Sequence, residues 1–328
     1  MTSRKSVLVQ KRYRFEKHKY WNTSARLIRE YARRITPSTV IDVGKIINGE
    51  TNEVFNVKVE DGAEYIFRFA HNRKQNPFLK EKWVFKKCND LRIPVPKILL
   101  IDSFEDGDKT VYICVESKIR GTGLGELSNT ISRKKVKGIL KQAGRLFRSI
   151  HSIKTKGFGD LNESGKGKHS SVGRLIRNFK TLIKKKILTA LRRSPGDLTL
   201  VKKAYKILQD NRNNIYKSHS FVIHNDISPD HIIVNNGKIS GVIDFESAKG
   251  ADPVFEFTRW DFKFGKKYPI TSFLEGYGHK RIKDFEKRFN YWKLFRLLLS
   301  LLYCINEKKT KGASYALREI KKILNFFV

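Results

Sequence analysis

The sequence predicts an α+β fold in two parts: a small antiparallel sheet towards the N-terminus and a larger, mainly helical C-terminal part. Three observations carry that expectation. Alternating β-branched and aromatic runs gather before residue 118, broken by one helical stretch. Stretches with apolar residues at helical spacing dominate after it. Set among those helices, Phe221-Val-Ile-His-Asn-Asp-Ile-Ser-Pro-Asp-His-Ile-Ile-Val234 and Gly241-Val-Ile-Asp-Phe245 read as strand, loop, strand, turn and strand.

The elements follow in order. Residues 1–40 form a basic helical extension, with eleven Lys or Arg and two acids, Glu16 and Glu30. Trp21 to Arg34 has the pattern of a basic amphipathic helix, ended by Thr36-Pro-Ser38. Residues 41–117 hold the sheet. Ile46 to Val57 reads as strand, turn and strand, with Asn48-Gly49 as the turn signal. No Gly-Lys-Ser/Thr follows, which excludes a Walker A phosphate loop. Glu64 to Ala70 alternates as a strand, and Asn76 to Lys87 is the next helix. That helix stops before Ile93-Pro-Val-Pro-Lys97, because proline removes donors and bars α geometry at the residue before it. Thr110 to Ser117 is another strand, leading to a crossing at about 117–121.

Residues 118–328 are read as the helical part. Val136 to Ile150 is a helix, and His151 at its end is a structural cap. Arg174 to Arg193 contains no acid, while Ile176, Phe179, Ile183 and Ile187 fall on one face: a buried stripe beneath a basic solvated face. The best apolar run, Leu298 to Ile305, is far short of the ~20 residues that span a bilayer. It reads as a buried helix, and no transmembrane segment is expected. Three cysteines without metal-ligand spacing, and no apolar leader, point to a reduced, cytoplasmic chain.

The chemistry-bearing residues are Asp226, His231 and Asp244. Each aspartate stands beside a β-branched strand, and His231 lies five positions after the first. Asn235-Asn-Gly237 is a hairpin turn that folds the third strand back beside the second. One strand–loop–strand unit can therefore bring all three to one point. Phosphoryl transfer needs such a set: a carboxylate to orient the attacking hydroxyl and two ligands for Mg2+ on a nucleotide.

His224-Asn225-Asp226-x4-His231 and Ile243-Asp244-Phe245 resemble the catalytic and metal loops of the aminoglycoside phosphotransferase and choline kinase family, whose fold is protein-kinase-like. That family's loop reads His-Gly-Asp-x4-Asn, so His231 stands where asparagine is usual. An imidazole is a softer ligand and suits Mg2+ less well. The resemblance covers about residues 40–300. It implies a bilobal fold, with an N-lobe over 41–117 and a C-lobe over 118–328, and ATP or GTP as co-substrate. It gives Asp226 the catalytic role and His231 and Asp244 the metal. It places Gly49 and Asn52 in a loop over the nucleotide and Arg68 towards the phosphates. Glu81 would pair with Arg68, and Glu116 and Ser117 would lie where the base meets the hinge backbone. Lys249-Gly-Ala-Asp-Pro-Val-Phe-Glu256 and Phe273-Leu-Glu-Gly-Tyr-Gly278 also match family-like runs.

The net charge of +36, with pI near 10.1, attracts anions such as nucleic acid, acidic lipid or phosphorylated metabolites. Acids are densest from Asp226 to Glu275. Asp230, Glu246, Asp252, Glu256, Asp261 and Glu275 could form an acidic pocket for a cationic or neutral hydroxyl compound; Asp252 and Glu256 could instead serve as helix N-terminal charges. The expected activity is transfer of a nucleotide's γ-phosphoryl group to a small hydroxyl-bearing substrate. The alternative is a weakly active or non-catalytic nucleotide-binding module that docks on nucleic acid or acidic membrane through its basic faces. A protein kinase is disfavoured: Asp252-Pro253 follows Asp244 within eight residues, with no Ala-Pro-Glu sequence.

Overall fold

The computed structural model describes residues 21–47, 51–71, 73–192, 194–215 and 219–327. They fall into two compact units, one reaching to residue 89 and including 94–120, the other comprising 90–93 and 121 onwards.

The first unit runs α1 (Ala25–Arg33), β1 (Val40–Ile46), β2 (Glu53–Val59), β3 (Glu64–Ala70), α2 (Phe78–Asp90), β4 (Ile98–Asp106) and β5 (Lys109–Ser117). The strands form one antiparallel sheet in the order β1-β2-β3-β5-β4. Phe55, Val57, Phe67, Phe69, Ile113 and Val115 bury one face of it, and α1 covers them with Ile28, Tyr31 and Ala32. The basic helix is thus part of the core of this unit. It begins at Ala25, four residues after the expected start, because Ser24 caps it by accepting the Leu27 N–H at 3.2 Å. Helix α2 likewise starts at Phe78, whose N–H is taken by the Asn76 side chain at 3.0 Å. Strand β4 was not legible in sequence. It is an edge strand whose residues are half-buried without clear alternation, and its register slips between Ile98 and Leu100.

Glu53, buried at the head of β2, ties this unit together. Its carboxylate accepts from Thr23 Oγ1 at 2.6 Å and Lys45 Nζ at 2.6 Å and meets His71 Nε2 at 3.0 Å. Burial opposes its ionisation, yet the bonds from His71, Lys45 and Thr23 hold its pKa down to about 2.

The second unit opens with β6 (Thr122–Gly123), α3 (Leu124–Leu127), α4 (Arg133–Ile150), β7 (Phe158–Leu161) and β8 (Gly167–His169). It continues with α5 (Val172–Leu182), a π-helical segment (Ile183–Leu188), α6 (Pro195–Ile215), β9 (Phe221–Ile223), β10 (Ile232–Asn235), β11 (Lys238–Val242) and β12 (Lys249–Ala251). It closes with α7 (Val254–Phe264), α8 (Ile270–Tyr277), α9 (Phe285–Asn306) and α10 (Thr310–Leu324). Two small antiparallel sheets, β11-β10-β6 and β8-β7-β12-β9, lie among the helices. The core centres on α9, through Tyr291, Trp292, Phe295 and Leu298. The stripe Ile176, Phe179, Ile183 and Ile187 is buried against it as expected, and Arg174, Arg177, Lys180 and Lys184 to Lys186 are exposed. The widened π turn suits the four-residue step from Ile183 to Ile187. Helices α4 and α8 cross at Gly144 and Gly276, where a Cβ on either would enter the other helix's backbone. Among the described residues, no helix is long and apolar enough to cross a membrane.

A pH prediction follows from Glu53. A carboxyl depressed in the folded state stabilises above its unfolded pKa and loses that contribution as pH falls through the folded value. Wild-type stability should therefore decline between about pH 4.5 and about pH 2. Glu53→Gln should remove about 3 kcal/mol at neutral pH and flatten that decline, as chemical denaturation at several pH values would show.

Candidate active site

Asp226, His231 and Asp244 converge because β9, β10 and β11 deliver them from adjacent ends. β9 hands the chain to the His224–Asp226 loop. A 3-10 turn, Pro229–His231, carries His231 to the start of β10. The hairpin then turns at Asn236 and Gly237, both with positive φ as the sequence signal requires, and β11 leads into Asp244. One ligand atom from each of the three lies within 4.8 Å of the others. His231 Nε2 stands 3.4 Å from Asp244 Oδ2, while its Nδ1 is buried without a protein partner. Burial pushes the His231 pKa down, against the pull of Asp244.

The loop has a defined internal structure. His224 Nδ1 accepts the Asp226 N–H at 3.3 Å, so its Nε2 carries the proton and donates to Ile243 O at 2.9 Å. The imidazole thereby couples the two aspartate-bearing loops, and it stacks on His231 with ring centres 5.5 Å apart. Asn225 has φ of 62° and Asp244 has φ of 68°. Left-handed backbone favours glycine, and asparagine and aspartate tolerate it best among the other residues. This accounts for Asn225 where the family pattern has glycine. Its side chain adds ties that glycine lacks: Nδ2 donates to Ser247 O at 3.3 Å, and Oδ1 accepts from Arg296 Nη1 at 3.1 Å.

Glu256 holds the same loop from below. It is fully buried on the first turn of α7, and its carboxylate accepts the backbone N–H of His224 at 2.5 Å and of Asn225 at 3.0 Å. His151 Nε2 lies 3.6 Å away, and His151 Nδ1 meets Tyr277 Oη at 2.9 Å. Burial opposes ionisation of Glu256, but His151 and Arg296 hold its pKa below the usual value. Burial, with Arg259 nearby, pushes Arg296 down to about 9. The expectation that Glu256 lines an acceptor pocket is therefore corrected: its oxygens hold the His224–Asp226 loop. Asp252 is corrected on the same ground. Fully buried, it caps α7 by accepting the Val254 N–H at 3.0 Å, and it binds Arg288 and, at 2.7 Å, Trp292 Nε1. Both acids stand at the N-terminal end of α7, where a negative charge is favoured.

The other acids are differently placed. Asp230 is exposed on the 3-10 turn, packed so closely on Gly125 that a Cβ there would collide with it. Glu246 is half-buried in the turn after Asp244. Glu275 is exposed on α8 and paired with Lys141 at 2.7 Å. The residue that sequence reasoning missed is Arg259, whose Nη2 pairs with Asp226 Oδ1. A signal existed: Arg259 lies three residues after Glu256 on α7, the spacing that puts two side chains on one helical face.

Within the first unit, Arg68 Nη1 binds Glu81 Oε2 at 2.6 Å, as expected of this strand–helix pair, and lies 3.6 Å from Glu116 Oε2. All three side chains are buried, and the guanidinium also stacks over Phe78. Ser117 turns its groups inward: its N–H donates to Lys97 O and its hydroxyl accepts the Lys97 N–H, each at 2.9 Å. Those two groups are thus paired within the chain. Asn52 is buried just before β2, and Gly49 lies outside the described residues.

The match to known proteins agrees with this architecture. Residues 42–281 match the phosphotransferase enzyme family, and the chain belongs to that family. It is 20% identical over 229 residues to hygromycin-B 4-O-kinase of Escherichia coli, a match covering 66% of this chain and 61% of that enzyme. The chain thus spans about three fifths of the length of this curated relative. A 49-residue stretch is 41% identical to the uncharacterized protein YcbJ of Bacillus subtilis (strain 168), covering 15% of this chain and 16% of that one. Among solved structures, aminoglycoside phosphotransferase APH(4)-Ia superposes with a TM-score of 0.73 at 18% identity, over 92% of this chain and 99% of that one. The GDP complex of an aminoglycoside 2'-phosphotransferase-IIIa variant superposes with a TM-score of 0.62 at 15% identity, over 90% and 97%. The fold is therefore the protein-kinase-like fold of the aminoglycoside phosphotransferases.

Asn225 gives a two-way test. Asn225→Val places a β-branched residue at positive φ and should cost about 2 kcal/mol or more. Asn225→Gly keeps the backbone and loses only the side-chain bonds, for about 1 kcal/mol. Denaturation midpoints that rank valine above glycine would contradict the assigned role of the backbone.

Proposed function

We propose that this chain transfers the γ-phosphoryl group of ATP or GTP to a hydroxyl of a small molecule. The observation that carries the reading is the convergence of Asp226, His231 and Asp244 on one arch of strands. The hydroxyl donates a hydrogen bond to the Asp226 carboxylate, which aims its oxygen at the γ-phosphorus. As the new O–P bond forms, the bond to the β–γ bridging oxygen breaks and the nucleoside diphosphate leaves. The hydroxyl proton passes to Asp226 and then to solvent. Arg68, steadied by Glu81 and Glu116, supplies a preorganised cation for the α- and β-phosphates. Positioning and charge neutralisation provide most of the rate enhancement.

The residues fit a divalent cation. His231 has a buried ring nitrogen without a protein partner, and Asp244 offers a carboxylate beside that ring. These two would hold Mg2+, which when bound neutralises charge on the β- and γ-phosphates. The free, buried cysteines suit a reducing, cytoplasmic setting. A second reading, a nucleotide-binding module that docks on nucleic acid or acidic lipid, draws on the exposed basic face of α5 and the π segment. It leaves the converging aspartates without a task, and the kinase reading is preferred.

Asp226→Ala should abolish phosphoryl transfer to any acceptor while nucleotide affinity stays within a few-fold. Asp244→Ala should remove the Mg2+-dependent part of nucleotide binding in calorimetry. Turnover like that of the wild type in the Asp226 variant would sink the assignment.

A further inference from the structure

Three of the six acids that the sequence offers as a pocket for a cationic acceptor are already matched by cations of the chain. Asp252 faces Arg288, Asp261 faces Lys293 at 2.8 Å and Glu275 faces Lys141 at 2.7 Å. The catalytic carboxylate follows the same rule through Arg259. Its environment, however, is different. The Arg259 side chain keeps 17% of its surface exposed and Asp226 keeps 35%, so both reach the open side of the loop. A guanidinium has five N–H donors in a planar fork. The contact of Arg259 with Asp226 uses Nη2, while Nε is buried and has no protein partner among the described residues. Arg259 is thus a partly exposed cation in contact with the carboxylate that must meet the acceptor hydroxyl.

That placement discriminates among acceptors. An ammonium group next to the reacting hydroxyl would meet a fixed positive charge at contact range, a repulsion that low-dielectric surroundings strengthen. A carboxylate or phosphate there would complete the fork with charge-assisted bonds, the geometry for which guanidinium is best suited. The carboxylate of Asp226 has two oxygens, so Oδ2 can take the hydroxyl while Arg259 bridges Oδ1 and the acceptor's anion.

We propose that Arg259 sets acceptor specificity, and that the acceptor is a hydroxyl compound carrying a carboxylate or phosphate near the hydroxyl that is phosphorylated. This rests on the phosphotransferase reading of Asp226. Arg259 acts on the acceptor directly and orients the Asp226 carboxylate in the process. The transfer itself balances as above: the acceptor oxygen gains the phosphoryl group, the nucleotide loses it, and the proton leaves through Asp226.

The test is a matched acceptor panel with labelled ATP and GTP. It comprises glucose, glucosamine, glucuronate and glucose 6-phosphate, together with glycerol, glycerate and glycerol 3-phosphate. The wild type should favour anionic members over their neutral twins in kcat/KM, and the carboxylate and phosphate arms identify which anion is taken. Arg259→Gln should raise KM for anionic members by about 10- to 100-fold, the loss of one charge-assisted contact. Arg259→Lys should restore part of the preference, an effect that a purely structural role would not produce. A wild-type preference for neutral or aminated acceptors overturns the inference. So does an anionic preference that survives in Arg259→Gln, or the absence of transfer to every anionic member. Absence of Mg2+-dependent nucleotide binding overturns instead the phosphotransferase reading on which the inference stands.

Discussion

The site depends on one buried carboxylate. Glu256 is removed from water on the first turn of α7, where an isolated charge would be strongly disfavoured. It is tolerated because two backbone N–H groups, His224 and Asn225, donate to it, with His151 beside it and Arg296 nearby. Those amides are the two that precede Asp226. The charge on α7 therefore determines where the His224–Asp226 loop lies. A buried pair of this kind adds little net stability, but breaking it leaves an uncompensated charge and is costly. Such a device defines a position more than it strengthens a fold.

The rest of the site is built on that anchor. With the loop held from below, Asn225 can adopt positive φ and use its side chain to join Ser247 and Arg296. His224 links the loop to the carbonyl before Asp244. Asp226 and Asp244 are thereby referred to one set of internal bonds, although they lie eighteen positions apart in the chain. The same helix that carries Glu256 carries Arg259 one turn later, so the element that positions the His224–Asp226 loop also brings a cation to Asp226.

Much of this was legible in sequence, for identifiable reasons. The hairpin Asn235-Asn-Gly237 and the apolar strands around it are local signals, and they sufficed to bring Asp226, His231 and Asp244 together. The Arg68–Glu81 pair was foreseen through the family resemblance. The buried stripe from Ile176 to Ile187 followed from periodicity alone. What was not legible depends on burial and partner choice. Acid content between Asp226 and Glu275 suggested an acidic pocket, but composition does not say that Asp252 faces Arg288 or that Glu256 faces amides. Edge strand β4 escaped because half-buried residues carry no clean alternation. Arg259 escaped because its meaning lies in a contact with a residue 33 positions earlier.

Hydrogen exchange of the segment from Phe221 to His231 tests the central role of Glu256 most directly. The comparison is between the wild type and Glu256→Gln, with the sheet of the first unit as an internal reference. Removing the charge should collapse protection of the His224 and Asn225 amides by about two orders of magnitude while the reference strands keep theirs. Unchanged protection of those two amides in the variant would show that the His224–Asp226 loop is held by something other than this carboxylate.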